Sequence, residues 1–84
     1  MFNREFSISG SSLKLLKLGE RGVVSRLNNV NDRITQKLSA MGIFPGVSIS
    51  LEQRFPRFIV KVGCDRFALS QDLIQAIYIR ILDS

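Results

Sequence analysis

Apolar positions along this chain switch between two periods, and each switch falls at a glycine, a proline or a short polar run. Ile34, Leu38 and Met41 recur at steps of four and three, which places them on one face of a helix. Asn31 or Asp32 can cap its start, because a short side-chain oxygen accepts from first-turn amides. Gly42 can supply the left-handed residue that ends it. Pro45-Gly46 suits a tight turn, with proline fixing φ and glycine tolerating positive φ after it. The period then becomes two: Val47, Ile49 and Leu51 alternate with Ser48, Ser50 and Glu52 in a strand running to Arg54.

The same alternation predicts strands at Val23 to Leu27, at Phe58 to Val62 and at Arg66 to Leu69. Phe58, Val60 and Val62 would share one side. Gly63-Cys64-Asp65 reads as a tight connection between the last two. Lys14 to Gly19 leads to a turn at Glu20-Arg21-Gly22. Ser70 can cap a short helix, Gln71 to Gln75, through its hydroxyl. A final strand carries Ile77, Ile79 and Ile81 with Tyr78 and Arg80 between them, and must pair with earlier strands to hide that branched face. Residues 1–12 form an N-terminal extension of partial order, in which Phe2, Phe6 and Ile8 suit an edge strand before the break at Ser9-Gly10-Ser11-Ser12. The rest, 13–84, is a single domain. The fold class is mainly β with short helices: about five strands in a bent sheet closing into a small barrel, with two helices inserted.

Composition narrows the setting. A chain of 84 residues buries only about 60–65% of its unfolded surface, so its core must be compact. Hydrophobic residues at 45% and charged residues at 23% match a globular domain that folds unaided. No apolar run approaches the roughly 20 residues of a membrane span, and the start lacks the apolar stretch of a signal peptide, so a cytoplasmic protein is expected. Twelve basic against seven acidic residues give a net charge of +5. The basic residues are scattered, which suits a solvated surface and also an acidic protein, an anionic membrane face or nucleic acid.

The chain contains no histidine, which removes the commonest general base and neutral metal ligand. Gly19-Glu20-Arg21-Gly22 lacks the Lys-Ser/Thr end of a phosphate-cradling loop. Glu52, Asp65 and Asp72 have no spacing that marks a catalytic pair, and read as solvated carboxylates. The chain is expected to be no enzyme and to require no cofactor. Cys64 is the single thiol. It reads as an inert side chain, or as a weak metal candidate if exposed, since one thiol among carboxylates is a poor donor set. If exposed, it has Arg66 nearby to favour its thiolate. The aromatic-basic run Arg54-Phe55-Pro56-Arg57-Phe58 is the best local candidate for an interaction surface. The plainer alternative puts Phe58 in the core and Phe55-Pro56 in a hairpin. Ile43-Phe44, beside the Pro-Gly turn, poses the same choice.

Three blocks of sequence together resemble the FeoA family, ferrous-iron transport protein A. The central one is Lys37-Leu38, Met41-Gly42-Ile43, Pro45-Gly46 and Ile49. The opening one is Leu13, Leu16, Gly19 and Gly22-Val23-Val24; the closing one is Phe67-Ala68-Leu69 followed by Ile77-Tyr78-Ile79. Leu38, Met41, Gly42, Pro45 and Gly46 are the structural motif on this view. Two features depart from the family pattern: Ser70 stands where an arginine is common, and Arg54 to Phe58 replaces a longer loop with a Gly-Asp-Pro element. The resemblance implies an SH3-like barrel. It further implies a non-enzymatic accessory protein of bacterial ferrous iron uptake, partnered by the cytosolic part of the FeoB GTPase transporter, with membrane contact only through that transporter. Phe44, Pro45, Arg54, Phe55, Pro56, Arg57 and Phe58 are the expected contacts. A nucleic-acid-binding barrel and a metal-responsive domain are the competing functions, the second because the broader fold group includes domains of metal-responsive repressors. An unpaired edge strand would allow a homo-oligomer.

Overall fold

The period-two segments become strands of one antiparallel sheet, and the two helices pack against each other beside it. The computed structural model describes residues 11–28 and 31–81. The expected edge strand at Phe2, Phe6 and Ile8 lies outside them. In chain order the elements are β1 (Ser11–Ser12), a 3-10 turn (Leu13–Leu15), β2 (Arg21–Leu27), α1 (Asp32–Ala40), β3 (Ser48–Gln53), β4 (Phe58–Val62), β5 (Asp65–Leu69), α2 (Gln71–Ala76) and β6 (Ile77–Ile81). The strands lie in the order β1-β6-β2-β3-β4-β5. The mainly-β class with two short helices holds. Six strands replace about five because Ser11 and Ser12 pair with Ile79 and Tyr78. Among the described residues no ladder joins β1 to β5, so the expected barrel is a curled sheet left open at that seam. Two irregularities, between Val24 and Arg26 and between Leu51 and Gln53, supply the local bends that curl it.

The segment from α1 to β3 is closed by backbone geometry. Asn31 Oδ1 accepts from the Ile34 amide at 2.9 Å, which satisfies a first-turn donor. At the other end the Gly42 amide donates to Ser39 O at 2.9 Å and the Ile43 amide to Leu38 O at 2.8 Å, the bond pair of a Schellman closure. Gly42 takes φ 78° there. Its apolar clasp is Leu38 against Ile43, both fully buried. Pro45-Gly46 then forms the expected turn, with Gly46 at φ 97° and the Val47 amide donating to Phe44 O at 3.1 Å. This turn is bonded to the sheet, since Gly46 donates to Val24 O and Val24 to Val47 O, each at 2.8 Å.

One apolar core results. Leu13 and Leu16 at the 3-10 turn, Val24, Leu38, Ile43, Ile49, Leu51, Val60, Ile77 and Ile79 are at most 1% exposed, and among the described residues no polar side chain is buried with them. Each such aliphatic side chain contributes about 1.5–3 kcal/mol relative to exposure. Met41, Phe58, Val62 and Phe67 pack around that centre half-buried.

Three local expectations are corrected. The turn before β2 spans Lys17 to Glu20, closed by the Glu20 amide on Lys17 O at 2.8 Å. Arg21 and Gly22 are already in the ladder, opposite Ser50 and Ile49. Ile81 is 38% exposed, because its partner Gly22 offers no side chain to cover it. Ser70 starts α2 without capping it through its hydroxyl. Instead that hydroxyl donates to Asp72 Oδ1, which itself accepts from the Leu73 amide at 3.0 Å. An ionised carboxylate is the stronger acceptor, and its charge is favoured at a helix start.

The hydroxyl of Ser70 is the main cause holding the Asp72 carboxyl below the ordinary aspartate value; the Leu73 and Asp72 amides and the charge of Lys37 add to it, against a smaller opposing desolvation. A depressed folded-state pKa favours the fold above the unfolded-state value and loses that contribution as pH falls through the folded one, here below about pH 4. In Ser70→Ala the Asp72 midpoint therefore rises toward the ordinary value, read from the carboxyl carbon in an NMR titration. Gly42→Ala forces a left-handed residue with a Cβ and costs about 1 kcal/mol, whereas Leu38→Ala costs about 2–5 kcal/mol. Urea denaturation checks both.

Candidate partner-docking cleft

The turn from β3 to β4 carries the aromatic-basic run, and its geometry follows from which side chains the sheet can absorb. Phe58 opens β4 opposite Leu69 and packs half-buried against the core. Phe55, in the bend before it, is 85% exposed. The Phe55–Pro56 peptide is cis, and Gln53 Nε2 donates to Arg57 O at 3.2 Å across the bend. The plainer reading therefore holds for both: Phe58 packs on the core and Phe55-Pro56 lie in the β3–β4 hairpin, with the Phe55 ring left exposed.

Arg54 to Phe58 form one wall of a cleft of about 680 Å³; Lys14 and, from the far end of the chain, Ala68, Leu69, Ser70, Gln71 and Ile74 form the rest. The floor is apolar. The charges at its margin are Lys14, Arg54 and Arg57, and among the described residues no carboxylate lines it. The two arginines differ in what they do. Arg54 Nη2 donates to Lys14 O at 2.9 Å and to Leu16 O, while its guanidinium carbon lies 5.7 Å from the centre of the Phe58 ring. It ties the 3-10 turn to the end of β3. Among the described residues the Arg57 guanidinium has no ion-pair or hydrogen-bond partner, so its donors remain available.

Phe44 and Pro45 are exposed, Phe44 by 52%, but they do not line this cleft. They precede β3 whereas Arg54 to Phe58 follow it, so the strand's length, about 20 Å at 3.3 Å per residue, separates the two groups. Lys14, Leu69, Ser70, Gln71 and Ile74 escaped the sequence reading as site residues. Lys14 sits beside a buried leucine and 40 positions from Arg54, and no local pattern reports a contact over that separation. Leu15 and Leu18, 63% and 62% exposed, were equally hidden, because helical and extended spacing both leave one of every few leucines outside.

Cys64 is exposed at the tip of the β4–β5 hairpin. Arg66 Nε donates to Glu52 Oε1 at 3.1 Å, so that guanidinium is held over the sheet by a carboxylate. Among the described residues no three Cys, Asp or Glu side chains gather as a metal-holding group. No described helix is long and apolar enough to cross a membrane.

The division of labour between the arginines is testable. Arg54→Ala releases two carbonyls and is expected to lower unfolding free energy by about 1 kcal/mol, while Arg57→Ala stays within about 0.5 kcal/mol of the parent. Urea melts of the two variants side by side decide it.

Comparison with known proteins gives this geometry a family. The FeoA domain matches residues 11–81. A Leptolyngbya boryana protein bearing the name Fe(2+) transport protein A is 52% identical over 77 residues, covering 90% of this chain and 94% of its own. The crystal structure of an iron uptake regulatory protein, FeoA, superposes with a TM-score of 0.77 at 29% identity, over 87% of this chain and 97% of that one. Stenotrophomonas maltophilia FeoA, crystallised with zinc and described as a prokaryotic SH3 domain protein, superposes with a TM-score of 0.65 at 26% identity, over 76% and 82%. The resemblance carried by the three sequence blocks thus extends through the whole described fold, an SH3-like one, and the chain belongs to the FeoA domain family, associated with ferrous iron transport.

Proposed function

We propose that this protein is a non-enzymatic accessory of bacterial ferrous iron uptake, and that it acts in the cytoplasm by docking on the cytosolic part of the FeoB transporter. The observation that carries the reading is the cleft: an apolar floor, an 85% exposed Phe55 and an uncommitted Arg57 beside it. Aromatic and arginine side chains at the centre of a contact are the usual anchors of protein recognition. Contiguous exposed apolar surface marks interaction sites, and the exposed Phe55 ring continues the apolar lining that Pro56, Phe58, Ala68, Leu69 and Ile74 give the cleft. The iron passes through the partner, and the domain contributes binding energy alone. Such a module changes a transporter's assembly, GTP turnover or gating only by binding one of its states more tightly than another. Phe44 and Pro45 join the contact if the partner surface extends along β3.

The test is a pull-down of the transporter's cytosolic part with nucleotide states varied, comparing the parent chain with Phe55→Ala/Arg57→Ala. Capture by the parent and a loss of about tenfold or more in the variant, with its melting temperature unchanged, is the expected result. Absence of capture in every nucleotide state removes the adaptor reading for the isolated cytosolic part.

A further inference from the structure

We infer that β5 is a docking edge: an extended acidic segment of the partner adds to it as a further strand and places an apolar side chain in the cleft beside Phe55. This rests on the adaptor reading and specifies how the same site is occupied.

The sheet ends at β5, whose ladder to β4 runs without a break from Val62↔Asp65 to Phe58↔Leu69. The two-residue loop Gly63-Cys64 makes Val62 and Asp65 a hydrogen-bonded pair. By alternation Phe67 and Leu69 also bond to β4, and the amides and carbonyls of Arg66 and Ala68 point the other way. Among the described residues nothing bonds to them. Sheets commonly blunt such an edge with a bulge, a proline or a protruding charge. The β5 ladder is regular and the strand has no proline. It carries two charged side chains: Asp65 stands at the hairpin end, outside the cleft lining, and Arg66 pairs with Glu52 on β3, two strands inward.

The edge also runs into the cleft. Ala68, an outward-facing residue, lines it together with Leu69, opposite Phe55 and Arg57. A strand added along β5 meets backbone partners at Arg66 and Ala68 and then an apolar recess with cations at its margin. Strand addition takes its affinity from the backbone and its specificity from such recesses. Charge selects the occupant. Lys14, Arg54 and Arg57 border the recess, and among the described residues no carboxylate lines it, which favours acidic side chains in the occupant.

The experiment uses the full chain labelled with nitrogen-15. The probe is a synthetic peptide of about six residues alternating Glu with Val and Leu, and the control replaces each Glu by Lys. The acidic peptide is expected to slow hydrogen exchange at the Arg66 and Ala68 amides by about tenfold or more, and the lysine peptide to leave both unchanged. Ala68→Pro deletes an outward amide and no ladder bond, so it is expected to weaken the acidic peptide about three- to tenfold. The exchange readout on the parent chain stands even if that variant folds poorly. Equal binding of both peptides, or full affinity in a folded Ala68→Pro, overturns strand addition. So does protection of the two amides in the free chain, or protection that grows with protein concentration, since another part of the chain or a second copy then holds the edge. Ala68→Pro carried through the transporter pull-down separates the two claims: undiminished capture overturns strand addition and leaves the adaptor reading standing, whereas failure of the parent chain to capture removes the adaptor reading whatever the peptide does.

Discussion

The bonds between Val24 and the Gly46–Val47 turn join the helical and sheet halves of this domain. Val24 uses both its amide and its carbonyl there, while its side chain is buried at the centre of the core. The turn is the continuation of the Schellman closure of α1, so the helix axis, the buried Leu38–Ile43 clasp and the register of β3 are set by one stretch of backbone. β3 pairs with β2 in the register that this junction allows, from Val23↔Ser48 outward. Slipping it by one residue would turn Ile49 and Leu51 out of the core.

The sheet's curl has a consequence for the surface. With β1 only two residues long and β5 without a second neighbour among the described residues, the sheet stays open at a seam, and the cleft lies where the β3–β4 turn, the 3-10 turn and the start of α2 meet. Arg54 holds this junction by donating to two carbonyls of the 3-10 turn. That bond turns a basic residue into a structural clamp and leaves Arg57 as the exposed charge. Arg66 provides a parallel case at the hairpin, where pairing with Glu52 keeps its guanidinium over the sheet.

The choice of a protein partner over the other readings rests on arrangement. Nucleic-acid recognition by a small barrel calls for aromatic faces set along a basic groove. Here, among the described residues, Phe55 is the one strongly exposed aromatic at the cleft, and Phe44, also exposed, is a strand's length away. A metal-responsive role calls for gathered donors, and Cys64 stands alone at a hairpin tip, without two further Cys, Asp or Glu beside it among the described residues.

Much of the fold was legible in the sequence because its determinants are local. The cap at Asn31, the left-handed Gly42 and the Pro45-Gly46 turn each involve residues within one or two turns of backbone. The alternation in β3, β4 and most of β6 is a property of the extended chain itself. The limits of that legibility are specific. Ser70 was read as a cap, because the competing carboxylate of Asp72 two residues on forms a better bond that spacing does not rank. Ile81 was read as buried, because its alternation continues past the point where a glycine partner leaves it uncovered. The sequence by itself determined β2 to β6, the two α-helices, their order along the chain and the aromatic-basic run. Only the tertiary structure decided that Lys14 and residues 68–74 face that run, that Arg54 is a clamp and Arg57 is not, and that Phe44 lies away from both. Those outcomes depend on contacts between residues tens of positions apart, fixed by the sheet's register and curl, which no short window of sequence encodes.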